Sequence, residues 1–121
     1  MSPSVLSFAG DAVYTLLVRE RMAAVNRPSG ELHSASVQLV SAAGQVKAFE
    51  IIKENLTEEE IDVFKRGRNF HTGRTPKGAS GGEYHIATGL ETLFGYLHLC
   101  GEKERLDELF LQIWQDYCEN L

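Results

Sequence analysis

Apolar residues recur along this chain at intervals of three and four, the spacing of one helix face, while strand-like alternation is poor. Val5, Ala9, Ala12/Val13, Leu16/Leu17 and Met22 predict a first helix over about residues 4–25. Asn26-Arg27-Pro28-Ser29-Gly30 ends it, because the residue before a proline is pushed out of the helical region. A second helix is expected from about residue 31, with Ser29 as its cap, carrying Leu32, Ala35/Ser36 and Leu39/Val40. The pattern continues over 41–55 with Val46, Phe49, Ile51 and Ile52, and Gly44 permits a break near Ser41. Thr57, followed three residues later by Glu60, is a capping-box signature, and Glu58-Glu59-Glu60 suits the positive end of a helix dipole. That helix carries Ile61 and Phe64 and ends in Lys65-Arg66-Gly67-Arg68. Residues 71–82 read as a loop. Helices over about 83–100 (Ile86, Leu90, Leu93/Phe94, Leu97), ended by Gly101, and 104–120 (Leu106, Leu109/Phe110, Ile113/Trp114, Tyr117) complete an all-α pattern.

Composition narrows the class. The chain has 121 residues, 43% hydrophobic and 24% charged, which predicts one globular domain over 1–121. No apolar run approaches the roughly 20 residues needed to span a bilayer, and the first residues lack the basic start of a signal peptide. A cytoplasmic protein without a membrane partner is expected. Cys100 and Cys118 form no CxxC, so buried free thiols are the default expectation. The aromatics of the last helix, Trp114 included, fall on its apolar stripe and read as core. There is no P-loop, dinucleotide fingerprint or nucleophile elbow, and His33, His85 and His98 make no zinc spacing with the cysteines.

The net charge of −5 argues, as an average, against a nucleic-acid partner. The average hides a division. Between residues 63 and 82 stand five basic residues (Lys65, Arg66, Arg68, Arg74, Lys77) and no acidic one. The flanks carry 7 basic against 17 acidic residues. The basic segment has two readings. A helix C-terminus followed by a solvated loop explains Lys65 and Arg66. A phosphate-contacting patch explains Arg68, Arg74 and Lys77 as well, with glycines admitting close backbone approach and Asn69 adding a neutral hydrogen bond.

Two acids are placed oddly. Asp11 lies in the apolar first helix between Gly10 and Ala12, and Glu91 lies in the apolar fifth, with Thr88 at i−3 and Gly95 at i+4. The small residues beside Glu91 leave room for a partner helix or a ligand. A carboxylate among apolar neighbours must be paired, neutral, at a surface, or bound to a cation. One reading makes each a satisfied, partly exposed acid. The other brings both to Mg²⁺, which is commonly held by one or two carboxylates plus waters and phosphate oxygens, and which can activate water for phosphodiester hydrolysis. Spacing alone does not show that positions 11 and 91 meet.

Leu6-Ser7-Phe8-Ala9-Gly10-Asp11-Ala12-Val13-Tyr14 resembles the signature helix of the ribonuclease III catalytic domain. Ala87-Thr88-Gly89-Leu90-Glu91-Thr92-Leu93-Phe94-Gly95-Tyr96-Leu97 is similar to that family's later, glutamate-bearing helix. With Lys65-Arg66-Gly67-Arg68-Asn69 between them and the short length, the chain resembles the Mini-ribonuclease III group, which has no double-stranded-RNA-binding domain. The resemblance implies an all-α homodimer, with double-stranded RNA lying across both subunits. It implies Asp11 and Glu91 as catalytic and metal-binding carboxylates, with Mg²⁺ (Mn²⁺ as a substitute), and an RNA-binding set of Lys65, Arg66, Arg68, Asn69, Arg74 and Lys77. The implied activity is endonucleolytic cleavage leaving 5′-phosphate and 3′-hydroxyl ends, in the maturation of precursor 23S ribosomal RNA. Full ribonuclease III has a glutamate where this chain has Ser7 and an aspartate where it has Thr88; the Mini group shares the thinner set. The alternative is a non-catalytic RNA- or ribosome-binding module on the same fold. A third reading is a helical dimerisation domain.

Overall fold

A computed structural model describes residues 1–70 and 81–120 of the chain. Among them there are six α-helices and no strand: α1 (Pro3–Ala23), α2 (Ser29–Val40), α3 (Ala42–Ile52), α4 (Glu58–Arg68), α5 (Gly81–Leu99) and α6 (Lys103–Glu119), with a 3-10 turn at Lys53–Asn55 after α3. The all-α expectation holds.

Local chemistry sets most of the helix ends. The Ser2 hydroxyl accepts from the Val5 amide at 3.4 Å, and Pro3 occupies the first turn, where a missing N–H is harmless. The break near Ser41 is a true helix boundary. Ser41 is extended, and its Oγ accepts from the Gly44 amide at 3.1 Å as the cap of α3. The capping box at α4 forms in both directions, Glu60 N–H to Thr57 Oγ1 at 3.1 Å and Thr57 N–H to Glu60 Oε1 at 2.9 Å. Gly101 follows α5 with φ +74°, a conformation that favours glycine. The cap expected at Ser29 falls one residue earlier: Pro28 precedes α2 and Ser29 is its first helical residue, with no side-chain cap.

Helix α5 is the axis of the bundle, with α1, α3, α4 and α6 packed against it. Its Leu90, Leu93 and Phe94 are fully buried against Tyr14 and Val18 of α1 and Leu109, Phe110 and Ile113 of α6. The Tyr14 ring meets Phe94 and Phe110 edge-on, at 5.5 and 6.0 Å between centroids. Its hydroxyl donates to the Leu39 carbonyl at 3.0 Å, so the one polar atom of this ring is satisfied. Arg105 of α6 clamps the start of α4, contacting both Glu60 carboxylate oxygens at 2.8 Å and the Asn55 carbonyl at 2.6 Å. These bonds hold the Glu60 carboxyl below the usual carboxylate range.

Burial corrects three expectations. On α1 the buried set is Leu6, Gly10, Tyr14, Val18 and Met22; of the stripe expected from Val5, Met22 is buried and Val13 and Leu17 pack partly buried against the core. Val5, Phe8 and Leu16 face outward, Phe8 with 83% of its surface exposed. The helix is apolar over more than one stripe, and packing on α5 selects among them. Cys100 and Cys118 are exposed rather than buried, because they lie beyond or beside the stripes that α5 and α6 turn inward. Trp114 and Tyr117 pack on the edge of the core, half-buried and stacked on one another at 5.4 Å.

Candidate active site

The site begins with two glycines. A Cβ on Gly10 of α1 would overlap the Glu91 carbonyl oxygen and lie 2.9 Å from the Gly95 amide nitrogen. One on Gly95 of α5 would overlap the Leu6 carbonyl and lie 3.0 Å from the Gly10 nitrogen. The two backbones therefore touch, and only residues without a Cβ permit it. The room that small residues leave beside Glu91 is filled by α1.

This crossing brings Asp11, next to Gly10, against Glu91. The Asp11 carboxylate is close enough to act on Glu91 as a neighbouring charge. Asp11 is exposed and Glu91 is partly buried. Burial is the main cause that raises the Glu91 carboxyl above the usual carboxylate range, and the neighbouring Asp11 raises it further. The Tyr14 hydroxyl is also pushed up, first by burial and then by the Glu91 charge.

A third polar group stands at the pair, one not singled out in the sequence. Gln45, in the first turn of α3, keeps only 4% of its surface exposed. Its Nε2 donates to Glu91 Oε2 at 3.3 Å and to the Val40 carbonyl at 3.1 Å. A glutamine within an otherwise apolar stretch was the available hint. Thr88 instead turns its hydroxyl back to the Tyr84 carbonyl at 2.9 Å along its own helix.

Among the described residues no Lys or Arg pairs with either Asp11 or Glu91, and no group of three or more His, Cys, Asp or Glu could hold a metal. Two adjacent carboxylates without a basic partner form the donor set that a hard divalent cation accepts, with water completing the shell. The chemistry of the residues present fits such an ion.

The basic segment ends α4, which packs on α5 one residue from Glu91: a Cβ on Gly67 would overlap the Thr92 side chain. Lys65, Arg66 and Asn69 are exposed and Arg68 is half-buried. Arg68 Nε donates to Asn69 Oδ1 at 3.2 Å, and its guanidinium sits 5.9 Å from the Phe64 ring centroid. Phe64 in turn stacks on Phe49 of α3 at 3.9 Å. Arg74 and Lys77 lie outside the described residues. No described helix is long and apolar enough to cross a membrane.

Comparison with known proteins adds the family and the fold likeness. The model of the ribonuclease III domain matches residues 4–102. Mini-ribonuclease 3 of Thermoanaerobacter sp. (strain X514) is 44% identical over 96% of this chain and 84% of its own length. Mini-ribonuclease 3 of Clostridium tetani is 40% identical over 99% of this chain and 83% of its own. A crystal structure of a protein from Fusobacterium nucleatum superposes with a TM-score of 0.90 at 26% identity, covering 98% of this chain and 92% of that one.

Proposed function

This chain belongs to the ribonuclease III domain family, and from that premise we propose that it cleaves double-stranded RNA at the Asp11–Glu91 pair with Mg²⁺. Membership makes it an endoribonuclease of the ribonuclease III type. The observation that carries the finer reading is that Asp11 and Glu91, 80 positions apart, come beside each other with no basic partner among the described residues.

Asp11 and Glu91 would hold the ion, with Mn²⁺ as a substitute for Mg²⁺. When bound, the ion would supply Lewis acidity at a phosphate and activate water for phosphodiester hydrolysis. The chain's own part is to keep an exposed carboxylate beside a partly buried one, at the expense of raising the Glu91 carboxyl. Products would carry 5′-phosphate and 3′-hydroxyl ends, and the cellular substrate would be precursor 23S ribosomal RNA. The end of α4 would touch phosphate through Lys65, Arg66, Arg68 and Asn69, joined by Arg74 and Lys77.

The working form would be a homodimer in the cytoplasm. Val5, Phe8, Ala12 and Leu16 recur at three- and four-residue steps on one face of α1, and all four are exposed. A second copy on this face would cover it and extend the surface available to a duplex.

The test incubates purified protein with a long RNA duplex, with and without Mg²⁺, and measures retention and product ends. Cleavage that needs Mg²⁺, and that Asp11→Asn and Glu91→Gln each abolish, is the expected result. Retention without cleavage at any Mg²⁺ concentration would leave a non-catalytic RNA-binding module. A variant cutting at the parent rate removes its residue from the site.

A further inference from the structure

The Gln45 amide is oriented by chemistry rather than by convention. Both of its close partners, Glu91 Oε2 and the Val40 carbonyl, are acceptors. The nitrogen, with two hydrogens, must face them, because a flipped amide would aim an acceptor at two acceptors. That choice leaves Gln45 Oε1 buried without a partner among the described residues. An orphaned buried acceptor lowers stability, and an apolar side chain of similar volume would avoid it. The amide is thus unfavourable as core packing, and its productive bond is the one to Glu91.

The bond also has a rigid origin. Gln45 sits in the first turn of α3, pinned by the Ser41 cap, and a Cβ on neighbouring Gly44 would overlap the Gln38 carbonyl. Its second hydrogen holds Val40, the last residue of α2. The α2–α3 corner, Gln45 and Glu91 therefore form one connected unit.

We propose that Gln45 is a positioning residue for the divalent-ion site: its Nε2 ties down one oxygen of Glu91 and leaves the other free for the ion. A carboxylate held by a fixed donor presents its free oxygen without first losing rotational freedom, and groups that orient ligands in this way commonly matter about 10- to 100-fold in metal affinity. This inference rests on the proposed Asp11–Glu91 ion site, and its test separates the two.

The measurement is Mn²⁺ affinity by calorimetry, on the full chain without RNA, for the parent, Gln45→Met, Gln45→Asn and Glu91→Gln. Gln45→Met keeps the volume and removes the donor; Gln45→Asn keeps an amide but shortens its reach. Both should bind Mn²⁺ roughly 10- to 100-fold more weakly, with metal-free melting temperatures at or above the parent's for Gln45→Met. In cleavage assays, the Mg²⁺ concentration for half-maximal rate should rise while the plateau stays near the parent's. Folded Gln45→Met binding Mn²⁺ within about twofold of the parent overturns the role, provided Glu91→Gln has lost binding. If Gln45→Met does not fold, the same criterion applies to Gln45→Asn. Parent-like Mn²⁺ binding by Glu91→Gln overturns the ion site itself, and this inference with it.

Discussion

The Glu91 carbonyl oxygen occupies the place where a side chain on Gly10 would begin. This backbone contact is the reason Asp11 and Glu91 share a site, since each carboxylate is anchored within one residue of the crossing.

Replacing Gly10 by Ala should force α1 and α5 apart, because the overlapped atom is backbone and cannot rotate away. Overpacking of this kind typically costs about 1–3 kcal/mol, occasionally more. Urea unfolding should show that loss, and cleavage should fall further than stability accounts for as the carboxylates separate. Gly95→Ala, which overlaps the Leu6 carbonyl, should behave alike. A Gly10→Ala protein as stable and active as the parent would contradict the crossing.

The raised Glu91 carboxyl predicts the pH dependence of the metal-free protein. In the folded state this group holds its proton to higher pH than in the unfolded chain. Between the ordinary carboxylate range and that raised value, the folded state binds more protons, so its stability declines as pH rises. Glu91→Gln removes the titration. Its melting temperature without metal should therefore exceed the parent's at alkaline pH, with the gap narrowing as the solution is acidified. Added Mg²⁺ should raise the parent's melting temperature and leave Glu91→Gln unmoved.

The cations at the end of α4 should contribute salt-dependent affinity. Replacing Lys65, Arg66 and Arg68 by Ala should weaken duplex binding regardless of sequence. The slope of log affinity against log salt should fall by roughly one for each phosphate that no longer meets a cation. Filter binding between about 50 and 200 mM salt, the range over which such electrostatic affinity falls steeply, measures this. An unchanged slope removes the α4 terminus from the interface.

Phe8, with 83% of its surface exposed, should matter to assembly rather than to folding of the monomer. Phe8→Glu adds a charge to the outward face of α1. Sedimentation should show the parent as a dimer and Phe8→Glu as a monomer with unchanged helical content. A Phe8→Glu protein sedimenting with the parent would place the subunit interface elsewhere.

Helix boundaries were legible in the chain wherever a few neighbouring residues determine them. The Thr57–Glu60 capping box, the Ser41–Gly44 break, the Pro28 stop and the Gly101 end are all settled within about one turn of helix. The odd placement of Asp11 and Glu91 was also visible, as was the segregation of basic residues into one segment. Which α1 stripe is buried was not. Two apolar stripes have the same period, and helical periodicity cannot rank them.

What the sequence determined by itself is therefore local: the helical segments, the Thr57 cap, and a short list of residues whose charge sits badly with their neighbours. Tertiary structure alone decided that Leu6, Gly10, Tyr14 and Val18 face inward while Phe8 faces out, that Asp11 meets Glu91, and that Gln45 joins them. The physical reason is range. Caps and periods act across three or four residues, whereas the Asp11–Glu91–Gln45 cluster exists because α1, α3 and α5 converge, and that depends on how closely two glycines let the backbones approach.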